Sequence, residues 1–183
     1  MATSSIDICS NALLLLGDNK ISAFNESAGG LVAENLYDSV LEDLLTQHHW
    51  RFATKKKQLN RISTDPINGY SYKHQLPADY LRAIGISPNG PYDIFEDELH
   101  ANYNPVELDY IYKPAVAEWP PWFVKAMEYA MAAELAEAVT EQTTRAEFYQ
   151  KKAEIQIAKA MGIDSQQRPN VAIKSNPFLE AHY

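Results

Sequence analysis

The sequence predicts an α+β fold, mainly helical: a four-helix body, a small antiparallel β subdomain inserted into it, and an extended C-terminal tail. Three observations carry that expectation. Apolar residues recur at helical spacing on both sides of the middle of the 183-residue chain. Residues 51–113 instead alternate apolar and polar side chains with a period of two, the signature of half-buried strands. From Asp164 onward neither period is present. These shifts imply a single domain over residues 1–163 and a tail over residues 164–183.

The first helix is expected over residues 5–16. Ser4 with Asp7 three residues on has the form of a capping box, and Gly17 after the leucine run is a left-handed C-cap. Ile6, Cys9, Leu13 and Leu16 share one face, and Leu14 with Leu15 widens it, which predicts cover from two sides. The polar connection that follows has Ile21 and Phe24 as anchors and Gly29 with Gly30 as its end.

The second helix is expected over residues 31–49. Apolar and polar pairs alternate from Val32 Ala33 through Leu44 Leu45 to Thr46 Gln47, a repeat of four that is close to the helical 3.6. Four residues overshoot one turn by roughly 40°, so the stripe winds and suits neighbours that cross at a marked angle. It predicts this helix as the seat of the other three. Glu34, Asp38, Glu42 and Asp43 form its acidic back.

At His48, His49 and Trp50 the pattern changes. Lys55, Lys56 and Lys57 fit a solvated edge strand, where lysine discourages unwanted pairing; the other reading is a phosphate contact. Asp65 Pro66 and Asn68 Gly69 mark turns, and Tyr70, Tyr72, His74 and Leu76 alternate cleanly. Strands are expected from Tyr80 to Ile86, from Tyr92 to His100 and from Val106 to Lys113. Helices then return over residues 121–139, with Pro120 and Pro121 at the start, and over residues 144–161, with Thr144 and Glu147 as a capping box and Gly162 as the stop. The alanines of the third helix make it thin, so neighbours can approach it closely on more than one side. In the tail, Val171, Ile173, Phe178 and Leu179 are sparse apolar points. The entropy of fixing its backbone exceeds what four such side chains return, so ordering it requires a partner surface or a sheet edge.

Composition narrows the function classes. A net charge of −8, from 24 acidic and 16 basic residues, argues against a surface built to grip nucleic acid. A surface that DNA merely passes is compatible with it. One cysteine, Cys9, excludes an internal disulfide and a multi-cysteine metal site, and its place on an apolar face predicts core packing. The absence of an 18-residue apolar run excludes a membrane-spanning helix, and the polar N-terminus predicts synthesis in the cytoplasm without a signal peptide.

Chemistry-bearing patterns are few. Phosphate loops, nucleophile elbows, zinc-protease helices and calcium loops are absent. His48 and His49 have the chemistry for metal or acid–base work, but neighbouring helical positions point about 100° apart, and helix-end histidines that suit the dipole are the simpler reading. Asp93, Glu96, Asp97 and Glu98 offer oxygen ligands, yet a strand does not turn consecutive carboxylates to one side, which favours a solvated acidic face. Trp119 and Trp122 fit a binding platform or, better, an anchor where the β subdomain re-enters the body. A small metal-dependent hydrolase using His48, His49 and the acidic strand is the enzymatic alternative; no cofactor and no metal are expected.

The order of parts resembles the head-to-tail adaptor proteins of tailed phages, the family that includes the tail tubular protein A, or gatekeeper, of short-tailed phages. The resemblance covers nearly the whole chain. It rests on Ile8 to Gly17 with Ile21, on Leu36 Tyr37 Asp38 and Leu44 Leu45 running into His49 Trp50 Arg51 Phe52 Ala53, and on Tyr72 with Leu76 Pro77 Ala78 Asp79 Tyr80 Leu81 Arg82. It continues through Leu108 Asp109 Tyr110 Ile111, then Trp119 Pro120 Pro121 and the alanine-rich helix. Tyr80 stands where relatives often carry a smaller residue. The resemblance implies a non-enzymatic virion protein at the head–tail junction: a dodecameric ring on the portal protein, a nozzle or stopper protein docked below, and DNA passing the lumen without specific binding. The residues fit that picture: Val171, Ile173, Pro177, Phe178 and Leu179 are candidates for a portal-binding tail, and Glu34, Asp38, Glu42 and Asp43 for a ring or lumen surface.

Overall fold

Ser4 opens α1 (Ser5–Leu16): its hydroxyl accepts the Asp7 N–H at 3.2 Å, and Gly17, at φ 84°, closes the helix in the left-handed conformation. A computed structural model describes the chain over residues 4–140 and 143–167. The elements that follow are α2 (Ala28–Gln47), β1 (Thr54–Gln58), β2 (Asn60–Arg61), β3 (Tyr72–Gln75), β4 (Tyr80–Ser87), β5 (Tyr92–Phe95), β6 (Glu98–Ala101), β7 (Glu107–Tyr112), α3 (Pro121–Thr140) and α4 (Thr143–Gln166). The α+β, mainly helical class predicted from the sequence is the one found.

The helix boundaries differ from the expected ones chiefly at α2 and at the end of α4; α2 stops at Gln47, not at residue 49, because His48 already has extended backbone. α2 begins three residues early, because Ser27 caps it through a 2.9 Å bond to the Gly30 N–H; Gly29 and Gly30 lie in its first turn instead of ending the loop. Gly30 is there for space: a Cβ at this position would collide with the Phe24 carbonyl oxygen. α4 runs past Gly162, the expected stop, to Gln166, and Thr144 lies inside its first turn. Asp164 therefore belongs to a helix and is 1% exposed, whereas the sequence placed it at the head of the tail. A tertiary contact described below holds this last turn.

The seat of the helical body is α3, not α2. α1, α2 and α4 each pack on α3, and Ala126, Ala132 and Ala136 are buried in those contacts. The small side chains let backbones approach, and the winding stripe of α2 packs mainly on α3 and α1 among the long helices. Phe123, Met127, Met131 and Leu135 fill the centre with Ile8, Leu13, Leu41, Leu44 and Leu45. α4 is also tied to the end of α1, where the Tyr149 hydroxyl donates to the Leu15 carbonyl and Arg145 to that of Leu16.

The β insertion folds as two antiparallel sheets, one of order β1-β7-β4 and one of order β2-β3-β6-β5. The lysine strand β1 is an edge, as expected. Tyr92 to His100 is a hairpin in place of the single strand expected: Glu96 adopts φ 55°, and the chain turns there between β5 and β6. β7 carries apolar side chains on both faces. Leu108 and Tyr110 enter a small core with Leu59, Leu76, Ile86, Leu99 and Val106, while Ile111 enters the helical core. Strict alternation with Leu108 and Tyr110 puts Ile111 on the opposite face, which a half-buried strand would leave to solvent and which here meets the helical core.

The two glycines yield opposite predictions. Gly162 is exposed with open space around it, so Gly162→Ala raises stability by about 0.5 to 1 kcal/mol, the helix-interior glycine cost. Gly30→Ala lowers it, since the obstructing atom is backbone and cannot swing away. Urea unfolding midpoints of the two variants read both signs.

Candidate functional site

α2 hands over to the β insertion at a junction built around Trp50. The indole is fully buried and donates its N–H to the Leu44 carbonyl at 2.8 Å. It stacks on Trp122 with centroids 5.7 Å apart and meets Phe123 edge-on at 5.1 Å, so the entrance and the exit of the insertion share one aromatic cluster. Trp119, 6% exposed, packs edge-on against Phe123 and donates to the Pro114 carbonyl at 3.1 Å. The tryptophans are thus junction anchors.

His48 lies beside this cluster, and its partner is a residue that sequence reasoning missed. Its Nε2 sits 3.2 Å from the carboxylate of Asp164, which also accepts the Arg51 N–H at 3.2 Å. Three elements meet at that carboxylate: the end of α2, the 3-10 turn Arg51–Ala53 and the last turn of α4. His49 points elsewhere and is exposed; partial loss of hydration, and then His48 beside it, lower its pKa. The pair is therefore divided between a tether and the surface. A separation of 116 residues between His48 and Asp164 leaves no local pattern from which to find the contact.

The acidic stretch is divided too. Asp93 accepts from the Tyr70 hydroxyl at 2.9 Å and Asp97 from Gln75 at 2.7 Å, both at the surface, while Glu96 occupies the turn. Glu98 faces a different set: Lys73 at 3.1 Å and His100 at 3.1 Å hold its carboxyl below the usual range, Lys73 foremost. Asn68 lies 2.9 Å from Nδ1 of His100, and a tautomer with its proton on Nε2 satisfies both contacts. His74 on the adjacent strand β3 is fully buried, and neither ring nitrogen makes a full hydrogen bond. Among the described residues, no group of three or more His, Cys, Asp or Glu side chains is arranged to hold a metal ion.

The lysines of β1 are largely engaged by carboxylates. Lys55 bonds Asp79 at 2.7 Å and lies 3.7 Å over the Tyr112 ring, and Lys56 sits 3.4 Å from Asp109. Lys55, and to a lesser degree the Tyr110 hydroxyl, hold the Asp79 carboxyl below its ordinary range. On α2, Glu34, Asp38, Glu42 and Asp43 are all exposed, as their spacing predicted. Lys113, just beyond β7, reaches Asp38 at 2.6 Å and Glu42 at 3.6 Å, so half of that acidic back is joined to the insertion. Cys9 is buried in the core, and desolvation pushes its thiol up to about 12, leaving it little thiolate. Val171, Ile173, Pro177, Phe178 and Leu179 lie outside the described residues.

Two grooves flank α3. The larger, about 670 Å³, runs between α1 and the start of α3 past Ser10, Lys20 and Trp119. Glu128 lines it, 7% exposed, and accepts from Asn11 at 2.7 Å and Lys125 at 3.1 Å. The smaller, about 370 Å³, separates α2 from α4 over a floor of Ala130 and Ala133. Among the described residues no helix is long and apolar enough to cross a membrane. Neither a protein-family model nor a curated protein sequence matches the chain.

Burial, opposed in part by Asn104 and the Leu99 backbone, lowers the His74 pKa. The sign follows from linkage. Below about pH 6.5, the ordinary histidine value, the unfolded chain binds a proton that the buried ring refuses. Stability therefore falls as pH drops through that range, by at most about 1.4 kcal/mol per pH unit for one proton. His74→Leu is expected to flatten the slope between about pH 7 and about pH 5, with His49 supplying a contribution of the same sign. Urea midpoints against pH measure it; an unchanged slope in the variant assigns the proton elsewhere.

Proposed function

We propose that the chain is a structural, non-enzymatic subunit of a phage head-to-tail adaptor. Made in the host cytoplasm, it joins the virion at the head–tail junction as a ring, dodecameric in the family it resembles. The ring sits under the portal, genome DNA passes through its lumen, and a nozzle or stopper protein docks below.

The observation that carries this reading is the fastened end of α4. Asp164 binds the Arg51 N–H and His48, so the last turn of α4, to which residues 168–183 are joined in sequence, is fixed at the root of the β insertion. Sixteen residues span at most about 55 Å when extended, enough to reach along a neighbouring protein. Val171, Ile173, Pro177, Phe178 and Leu179 are the groups with which such an arm grips a portal.

Other features support it. The residues that carry the family resemblance include much of the core: Leu44, Leu45, Trp50, Leu108, Tyr110, Ile111 and Trp119 are all buried. The net charge of −8 and the engaged lysines Lys55 and Lys56 suit a channel that lets DNA slide without holding it. Glu34, Asp38, Glu42 and Asp43 are the proposed ring or lumen surface.

Asp164 also defines how the arm is tested. A chain ending at Gln167 keeps the Asp164 contacts and is expected to fold with an unchanged thermal midpoint while losing its association with the cognate portal in co-sedimentation. Normal portal binding by this truncated chain contradicts the tail assignment.

A further inference from the structure

Two surfaces of the molecule carry exposed apolar residues together with charges of opposite sign. On α4, Phe148 is 53% exposed, Ile155 51% and Ile163 43%. Spacings of seven and eight residues place them on one side of the helix, along about 22 Å. Lys152 and Lys159 fall on the same side, one turn after Phe148 and Ile155. Lys152 lies 5.4 Å over the Phe148 ring, and among the described residues neither lysine pairs with a carboxylate. Glu147 and Glu154 point more than about 100° away around the helix. In a chain of net charge −8 this stripe is a local positive surface.

The β5–β6 hairpin is its complement. β5 is the edge of its sheet, and Asp93 and Phe95 are its outward side chains, Phe95 being 49% exposed. Glu96 and Asp97 extend the acidic surface through the turn, and none of the three carboxylates forms an ion pair among the described residues. Four residues of strand span about 13 Å, a length the stripe accommodates.

We infer that the α4 stripe receives the β5–β6 hairpin of a second copy of this chain. Phe95 packs between Phe148 and Ile155, and Asp93 and Glu96 meet Lys152 and Lys159. The two faces differ, so the contact is heterologous and every copy can use both at once. An acidic protein repels its copies over most of its surface, and this pairing is one place where the charges attract. The contact deepens the ring reading above, and its closure into a ring rests on that reading.

Zero-length carbodiimide coupling of the full chain, as an equimolar mixture of ¹⁵N-labelled and unlabelled protein, tests the contact. Cross-linked peptides of mixed isotope are expected to join Lys152 or Lys159 to Asp93, Glu96 or Asp97. Lys152→Glu with Lys159→Glu abolishes association of like copies, as does Asp93→Lys with Glu96→Lys. Mixing the two variants restores association, through one pair of unaltered faces and one pair of swapped charge, which a folding defect in either would not do. Copies joined through other residues overturn this interface and leave the ring reading standing. Copies that stay separate, even on the portal, overturn both, and a stripe that binds anionic vesicles without any copy-to-copy cross-link overturns the interface.

Discussion

The packing of Trp50 between the end of α2 and the start of α3 is the constraint from which the rest of the structure follows. More than sixty residues leave the helical body after Trp50 and return before Trp122. Unless those two points are joined, an insertion of this length adds loop entropy and no defined orientation. The stacked indoles join them, the Leu44 carbonyl fixes the Trp50 ring, and the β1–β7 ladder continues the closure into the insertion. A polar side chain at position 50 would leave both the helical core and the root of the sheet unfilled.

From that root, β7 distributes the packing. Leu108 and Tyr110 point into the small β core and Ile111 into the helical one, so the two hydrophobic cores share a strand. Asp79, between β3 and β4, accepts from both Lys55 and Tyr110 and ties the edge strand to the centre of the sheet. Asp164 does the same for the helical body, drawing α4 onto the junction. In the ring proposed above such ties would matter, because a ring interface is only as well defined as the relative positions of its two faces within each copy.

Local patterns were a sound guide where one face met one core. The helical stripes, the caps at Ser4 and Gly17 and the alternation of residues 51–113 follow from periodicity and from side chains that bond their own backbone. What the sequence concealed was tertiary. Gly29 and Gly30 look like a loop because glycine is a poor helix former, and the reason for Gly30, the nearby Phe24 carbonyl, is a contact and not a propensity. Gly162 fails to stop α4 because Asp164 two residues later has partners 113 and 116 positions away. The turn at Glu96 has no glycine or proline to announce it. Of the candidate functional residues, the four carboxylates of α2 were legible as a surface, while the fate of His48 depended on a residue assigned to the tail.

Two exposed surfaces of opposite character, α4 and the β5–β6 hairpin, thus belong to one body whose insertion is rooted at the Trp50 junction. The function proposed for such bodies is a ring on a portal. Electron microscopy of the full-length protein mixed with its cognate portal tests this most directly. A ring of these subunits stacked coaxially on the portal, with an open central channel, is the predicted result; portals that remain bare at saturating protein would contradict it.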